Sequence, residues 1–127
     1  MKFLVLAVFF VIVISGCTTG TYTIDHVIEN ADNLIDTKIT VKGTSVAPSA
    51  VCTLIACTDE EPCCNDCGGR LSLEGEDSTL QLRKGGDPIE CSGSNCVMYC
   101  KDFETGKEYE LTGILKDANG YYLELEE

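Results

Sequence analysis

Nine cysteines and their spacing constrain this 127-residue chain more than any other feature. One of them, Cys17, closes an N-terminal apolar segment and is taken separately below. The other eight fall into two groups: Cys52, Cys57, Cys63, Cys64 and Cys67, then Cys91, Cys96 and Cys100. In an oxidising compartment eight thiols form up to four disulfides, and on the order of a hundred pairings are open to them. Parity narrows the choice. Both groups are odd, so complete pairing requires one or three bridges between them. At least one bond must join two segments distant in sequence, closing a loop no shorter than the interval from Cys67 to Cys91. Closure on that scale is worth ~3–4 kcal/mol in chain entropy. A short chain builds only a modest apolar core, so such bonds decide whether it folds.

Residues 1–17 read MKFLVLAVFFVIVISGC. Lys2 precedes an unbroken apolar run from Phe3 to Ile14, followed by Ser15 and Gly16. As a helix that run spans ~18 Å, well short of a ~30 Å hydrocarbon core. Residues 1–16 are expected to be a secretory signal peptide, not a resident membrane helix. The ending Ile14-Ser15-Gly16-Cys17 resembles the lipobox of prokaryotic lipoproteins: a branched apolar residue, two small ones, then cysteine. Small side chains give a peptidase access to the bond before Cys17, and only a thiol supplies the thioether that carries a diacylglycerol. Cys17 is therefore the expected lipid-attachment residue. Several acyl chains at ~0.8 kcal/mol per buried CH₂ make a stable anchor. The mature chain is expected on the outer side of a cell membrane, anchored without spanning it.

Thr18-Thr19-Gly20-Thr21-Tyr22 is small and polar, and residues 17–23 read as the lipidated terminus and a flexible tether. Residues 24–127 then form one domain. Ile24, Val27, Ile28, Ala31, Leu34 and Ile35 share one helical face. Thr23 or Asp25 is the expected cap, and Asn30, Asp32 and Asn33 weaken the middle, so one short helix is expected, with its weak point there. From Thr37 the period drops to 2. Ile39 and Val41 alternate with Lys38, Thr40 and Lys42; Leu71 and Leu73 with Arg70, Ser72 and Glu74; Leu80 and Leu82 with Gln81 and Arg83. Residues 75–78 turn between the last two. Tyr109, Leu111, Gly113 and Leu115 share a face, then Asp117-Ala118-Asn119-Gly120 turns the chain, Asn-Gly suiting a primed hairpin turn. Tyr121, Leu123 and Leu125 complete a fifth strand.

Five short strands with a long connection between the third and fourth suit a small antiparallel barrel. The stretch from Ile28 to Gly43, a short helix leading into a strand that ends Val41-Lys42-Gly43, resembles the opening of exported prokaryotic OB-fold domains. Residues 107–116 and 121–125 are similar to their last hairpin. The resemblance covers about 60 residues and implies a mainly β, five-stranded OB-like barrel with a short N-terminal helix. In such a barrel Gly113 marks a bulge or sharp coil. The cysteines occupy two long loops, 48–69 and 85–100, expected to be cross-linked at one pole. The whole resembles cysteine-rich envelope lipoproteins, a resemblance that implies no activity.

Charge bears on partners. Removing the leader leaves 111 residues carrying 8 cations and 21 anions, a net −13. Such an excess repels phosphate backbones, and oligonucleotide binding by an OB-fold depends on a basic groove with exposed aromatics. No nucleic-acid partner is expected, and most of Tyr22, Tyr99, Tyr109, Tyr121 and Tyr122 should pack on the sheet. His26 is the single histidine and reads as solvent-facing and idle, which leaves neither a Cys-His-Asp nucleophile nor a histidine metal centre. Cys64-Asn65-Asp66-Cys67 has the spacing of thiol oxidoreductases, but Asp59, Glu60, Glu61 and Asp66 raise thiol pKa values and oppose that role. A zinc ribbon needs two such knuckles, whereas Cys96 and Cys100 are separated by three residues and Cys63 and Cys64 are adjacent. The run Asp59-Glu60-Glu61 reads as a solvated acidic loop. No metal and no cofactor are expected.

The reading that results is a lipid-anchored, non-catalytic envelope protein, whose cross-linked loops bind a protein, peptide or glycan. Its rival is an extracytoplasmic thiol–disulfide or metal-binding protein using the same eight cysteines.

Overall fold

The period-2 stretch after Thr37 becomes the spine of the fold. The computed structural model describes residues 20–127; the leader and Cys17 lie outside the described residues. In chain order the elements are β1 (Thr21–Thr23), α1 (Ile24–Glu29), α2 (Ala31–Leu34), β2 (Lys38–Val46), β3 (Val51–Cys52), β4 (Asp66–Arg70), β5 (Ser72–Glu74), β6 (Thr79–Lys84), β7 (Asp87–Pro88), β8 (Glu90–Ser94), β9 (Met98–Cys100), β10 (Phe103–Glu104), β11 (Glu108–Asp117) and β12 (Tyr121–Leu125). Strand β2 buries Ile39, Val41, Gly43 and Ser45 while exposing Lys38 and Lys42. It pairs with β11 on one side and with β5 on the other.

The ring β2–β11–β12–β6–β5 closes on itself, the five-stranded OB-like barrel expected from the sequence. One pairing departs from the expected antiparallel pattern: β12 runs parallel to β6. The reason is arithmetic. Directions cannot alternate round a closed ring with an odd number of strands, so one neighbouring pair must run the same way. Val41, Leu71, Leu73, Leu80, Leu82, Leu115 and Leu123 fill the interior, with Ile24 and Val27 of α1 packed against them. Ser72, expected on the solvent side, is also buried.

Gly43 allows α1 to settle on the barrel. A Cβ there would lie 2.8 Å from Ile24 Cγ1 and 2.9 Å from the Glu74 carbonyl. Thr23 caps α1, its Oγ1 accepting from the His26 N–H at 3.3 Å, and the helix breaks at Asn30 before α2. No bulge occurs at Gly113. Pairing with β2 runs through it in regular register, opposite Ile39, and pairing with β12 starts at it, opposite Leu125, and a Cβ there would collide with the Glu124 carbonyl. The turn before β12 has φ of 58° at Asn119 and 129° at Gly120, the positive values a primed hairpin turn needs.

Two expectations are corrected. Residues 21–23 are not part of a tether but form β1, parallel to β2 with Thr21 opposite Thr40; β-branched Thr21 and Thr23 flank Tyr22, which is half-buried against the core. Nor are 48–69 and 85–100 simply loops, because they contribute to a second sheet of order β10–β9–β8–β4–β3. Its strands are short and carry cysteine, glycine and serine where apolar alternation would have announced them.

This second sheet lies at one pole of the barrel. The chain enters it after Val46, returns at Ser72, which is paired with Val46, leaves again after Lys84 and comes back at Glu108, paired with Thr44. Strand β1 runs along β2 in the same direction. The N-terminal end of β1, at Thr21, therefore points toward the Lys38 end of β2, the opposite pole.

Candidate functional site

All eight cysteines expected to form disulfides do so: Cys52–Cys67, Cys57–Cys64, Cys63–Cys96 and Cys91–Cys100. Only Cys63–Cys96 joins the two groups, with 33 residues of separation, the smaller of the two odd numbers that parity allows. The C-x-x-C cysteines are not partners of each other, Cys64 pairing back to Cys57 and Cys67 to Cys52. Four disulfides point to an oxidising, extracytoplasmic environment. Cys17, the expected lipid-attachment residue, lies outside the described residues.

The strand register assigns two of the bridges to one face of the second sheet. Cys52 stands opposite Cys67, which stands opposite Gly93, which faces Met98; the next row holds Gly69, Cys91, Cys100 and Phe103. Cys67, Cys91, Met98 and Cys100 are buried. Sulfur and two cross-strand bonds thus form the core that leucine forms in the barrel. The intervening row faces outward: Val51, Gly68, Ser92, Tyr99 and Glu104, one residue from each strand. Val51 is 78% exposed and Tyr99 55%, and between them Gly68 and Ser92 form a low floor. A shallow groove of about 470 Å³ opens beside it, bounded by Ser49, Arg70 and Glu90.

Next to Val51 the chain leaves the sheet but remains fixed. The Thr53 N–H donates to the Asp66 carbonyl at 2.9 Å, and the Asp66 N–H donates to Thr53 Oγ1 at 3.0 Å. The Asn65 carboxamide then acts as a neighbouring strand would. Its Oδ1 accepts from the Ile55 N–H at 2.7 Å and its Nδ2 donates to the Ile55 carbonyl at 3.0 Å. Asn95 holds Asn65 in turn: the Asn65 N–H donates to Asn95 Oδ1 at 3.1 Å and the Asn95 N–H to the Asn65 carbonyl at 3.0 Å. The Cys63–Cys96 bridge, exposed at both residues, reinforces the same contact. On this fixed backbone Leu54 is 99% exposed and Ile55 60%.

The sequence contained the cysteines of this site but not its clamp. Asn65 and Asn95 are polar residues in segments read as loops, and nothing in their spacing marks them as partners. Tyr99 was visible only as one of five tyrosines. The other four are engaged: Tyr22 stacks on His26, Tyr109 meets Phe103 edge-on at 5.1 Å and accepts the Glu104 N–H at 3.0 Å, Tyr121 donates to Asp32 at 3.0 Å, and Arg83 lies 4.2 Å from the Tyr122 ring centre. The bond to Asp32 holds the Tyr121 phenol above its ordinary pKa. His26 is exposed, as expected.

One buried polar residue joins the two sheets. Ser45, fully buried on β2, donates its hydroxyl to the Glu104 carbonyl at 2.5 Å, while its carbonyl accepts from the Gly106 N–H at 2.7 Å. Beside it the Glu104 carboxylate, 2.7 Å from Lys107 Nζ, holds that ammonium above its ordinary pKa.

Among the described residues no helix is long and apolar enough to cross a membrane. Comparison with known proteins finds no family model that matches the chain, no curated protein that matches it and no solved structure that matches it.

Proposed function

We propose that the chain is exported, cut before Cys17, lipidated there, and serves as a non-catalytic binding module on the outer side of a cell membrane. The observation that carries this reading is the location of exposed apolar surface. Among the described residues the large exposed hydrophobics are Val51, Leu54, Ile55 and Tyr99, and every one belongs to the cross-linked second sheet or the segment clamped to it. Exposed apolar groups gathered in one region mark interaction surfaces. A backbone fixed beforehand loses little entropy on contact, which is the advantage of bracing it with disulfides. The lipobox-like segment ending at Cys17 and the even number of cysteines left without it support the anchor. The direction of β1 supports an outward-facing cap, since the tether would leave from the other pole.

The test combines chemistry and mass. The exported protein, analysed without reduction, should have an N-terminus at Cys17 bearing diacylglyceryl and acyl mass, and no free thiol. An uncut leader, or two titratable thiols among the eight loop cysteines, would overturn the reading in favour of a thiol-active protein.

A further inference from the structure

The second sheet ends in an unguarded edge. Among the described residues strand β3 pairs only with β4, and beyond it the clamp extends the strand-like path to Ile55. The inward N–H groups are those of Thr53 and Ile55, so strand alternation turns the peptide groups of Cys52 and Leu54 outward. Natural sheet edges are protected by lysine, proline, bulges or a covering element. Here the edge reads Val51-Cys52-Thr53-Leu54-Ile55-Ala56, with no charge, no proline and exposed apolar side chains.

We propose that this edge receives an extended segment of another protein by strand addition, and that the segment is apolar with basic flanks. Main-chain pairing supplies affinity in such unions, and alternate side chains supply choice of partner. The basic flanks follow from the rim. No Lys or Arg occurs between Lys42 and Arg70, while Asp59, Glu60 and Glu61 follow the edge within five residues in sequence and Asp66 is bonded to Thr53 on it. A second copy of this chain would bring the same carboxylates against one another. The anchoring membrane is also disfavoured. Four residues from Cys17 to Thr21 reach at most ~14 Å, and Thr21 stands opposite Thr40, from which β2 runs ~20 Å to Val46 where the cap begins. This step rests on the lipid-anchored binding reading above.

The experiment uses the exported protein purified from membranes in detergent. The probe is a synthetic peptide of alternating valine and threonine flanked by lysine pairs, with a glutamate-flanked twin and a version N-methylated along one edge. Binding is read by fluorescence anisotropy. The lysine peptide should bind saturably, and the glutamate twin and the N-methylated peptide about tenfold more weakly or worse. The substitution Leu54→Pro removes one of the two outward N–H groups, leaves the inward bonds of Thr53 and Ile55, and should weaken the lysine peptide about tenfold. Equal binding of the two flanks, indifference to N-methylation, or no saturable binding overturns the proposal. So does a homodimer that Leu54→Pro dissociates, or Leu54-dependent insertion into phosphatidylglycerol vesicles. Intact mass on the same sample separates the premises: a chain without lipid removes the anchor and leaves the edge result standing.

Discussion

The barrel and the cap reach order by opposite means. Barrel strands bury leucine, valine and isoleucine, with Leu73, Leu80, Leu82, Leu115 and Leu123 at zero exposure. At roughly 1.5–3 kcal/mol for each side chain removed from water, that core sustains five strands without a covalent tie. Cap strands have two to five residues, rich in glycine and serine, and bury little besides sulfur and Met98. Their order comes from restricting the unfolded chain and from carboxamide clamps. The contrast shows where a small protein can leave apolar residues exposed. Covalent bracing frees Val51, Leu54, Ile55 and Tyr99 from any duty in a core, so they stay at the surface.

Reduction should break the two regions apart, and this is the largest effect expected. With a phosphine reductant, amides of β4, β8 and β9 should lose hydrogen-exchange protection while those of β2 and β11 keep theirs. Exposure sets the order of opening. Cys63–Cys96 is exposed at both ends and should be reduced first; Cys91–Cys100, buried at both ends, should be last. The 33-residue loop closed by Cys63–Cys96 is worth about 4 kcal/mol in chain entropy, the shorter loops about 2–3 kcal/mol each and not additively. Simultaneous loss of protection in both regions would mean that the barrel depends on the bridges too, and the contrast would fail.

Legibility in the sequence divides along the same line. The barrel could be read because its chemistry is periodic: Ile39 and Val41, Leu80 and Leu82, Leu123 and Leu125 alternate as a half-buried sheet requires, and Asn119-Gly120 announces its turn. The cap could not. In Asp66-Cys67-Gly68-Gly69-Arg70 the inward positions hold cysteine and glycine, which carry no hydrophobic period, so a strand looks like a loop. Parity required a bridge between the groups but could not name Cys63 and Cys96, because pairing depends on how the strands lie. Asp25, an expected helix cap, and Asn65 act over long range, and local spacing contains no sign of that.

Ser45 marks the seam between barrel and cap. Its hydroxyl satisfies the Glu104 carbonyl within the segment that carries the chain from the cap back into β11. Replacing Ser45 with alanine leaves that carbonyl without its partner and should cost about 1–2 kcal/mol, measured by urea unfolding. Exchange should rise first at Gly106 and Lys107, whose N–H groups bond to Ser45. If protection falls evenly across β2, β6 and β12 instead, Ser45 belongs to the barrel's stability and joins nothing.

The smallest effect concerns acid, and it separates the regions by chemistry. Asp25 on α1 accepts the Glu76 N–H at 2.7 Å and the Asp77 N–H at 3.0 Å, tying the helix to the β5–β6 turn, and those backbone bonds hold its carboxyl below the ordinary value of 3.8. A carboxyl whose pKa is lower folded than unfolded contributes stability that is complete above the unfolded value and fades as pH falls through the folded one. Asp25→Asn should therefore be less stable than the parent by a constant amount at neutral pH, with the gap closing below about pH 4 as the parent's carboxyl takes up its proton. Because the group is solvent-accessible, salt should shrink the gap at neutral pH. The cap's clamps are Asn65, Asn95, Thr53 and disulfides, none of which titrates in that range, so local opening of β4 and β8 should not respond to acid where α1 and the 75–78 turn do. Measured by exchange at a series of pH values, an equal response in both regions would mean that the cap leans on carboxylates as the helix does, and that its order is not covalent and carboxamide alone.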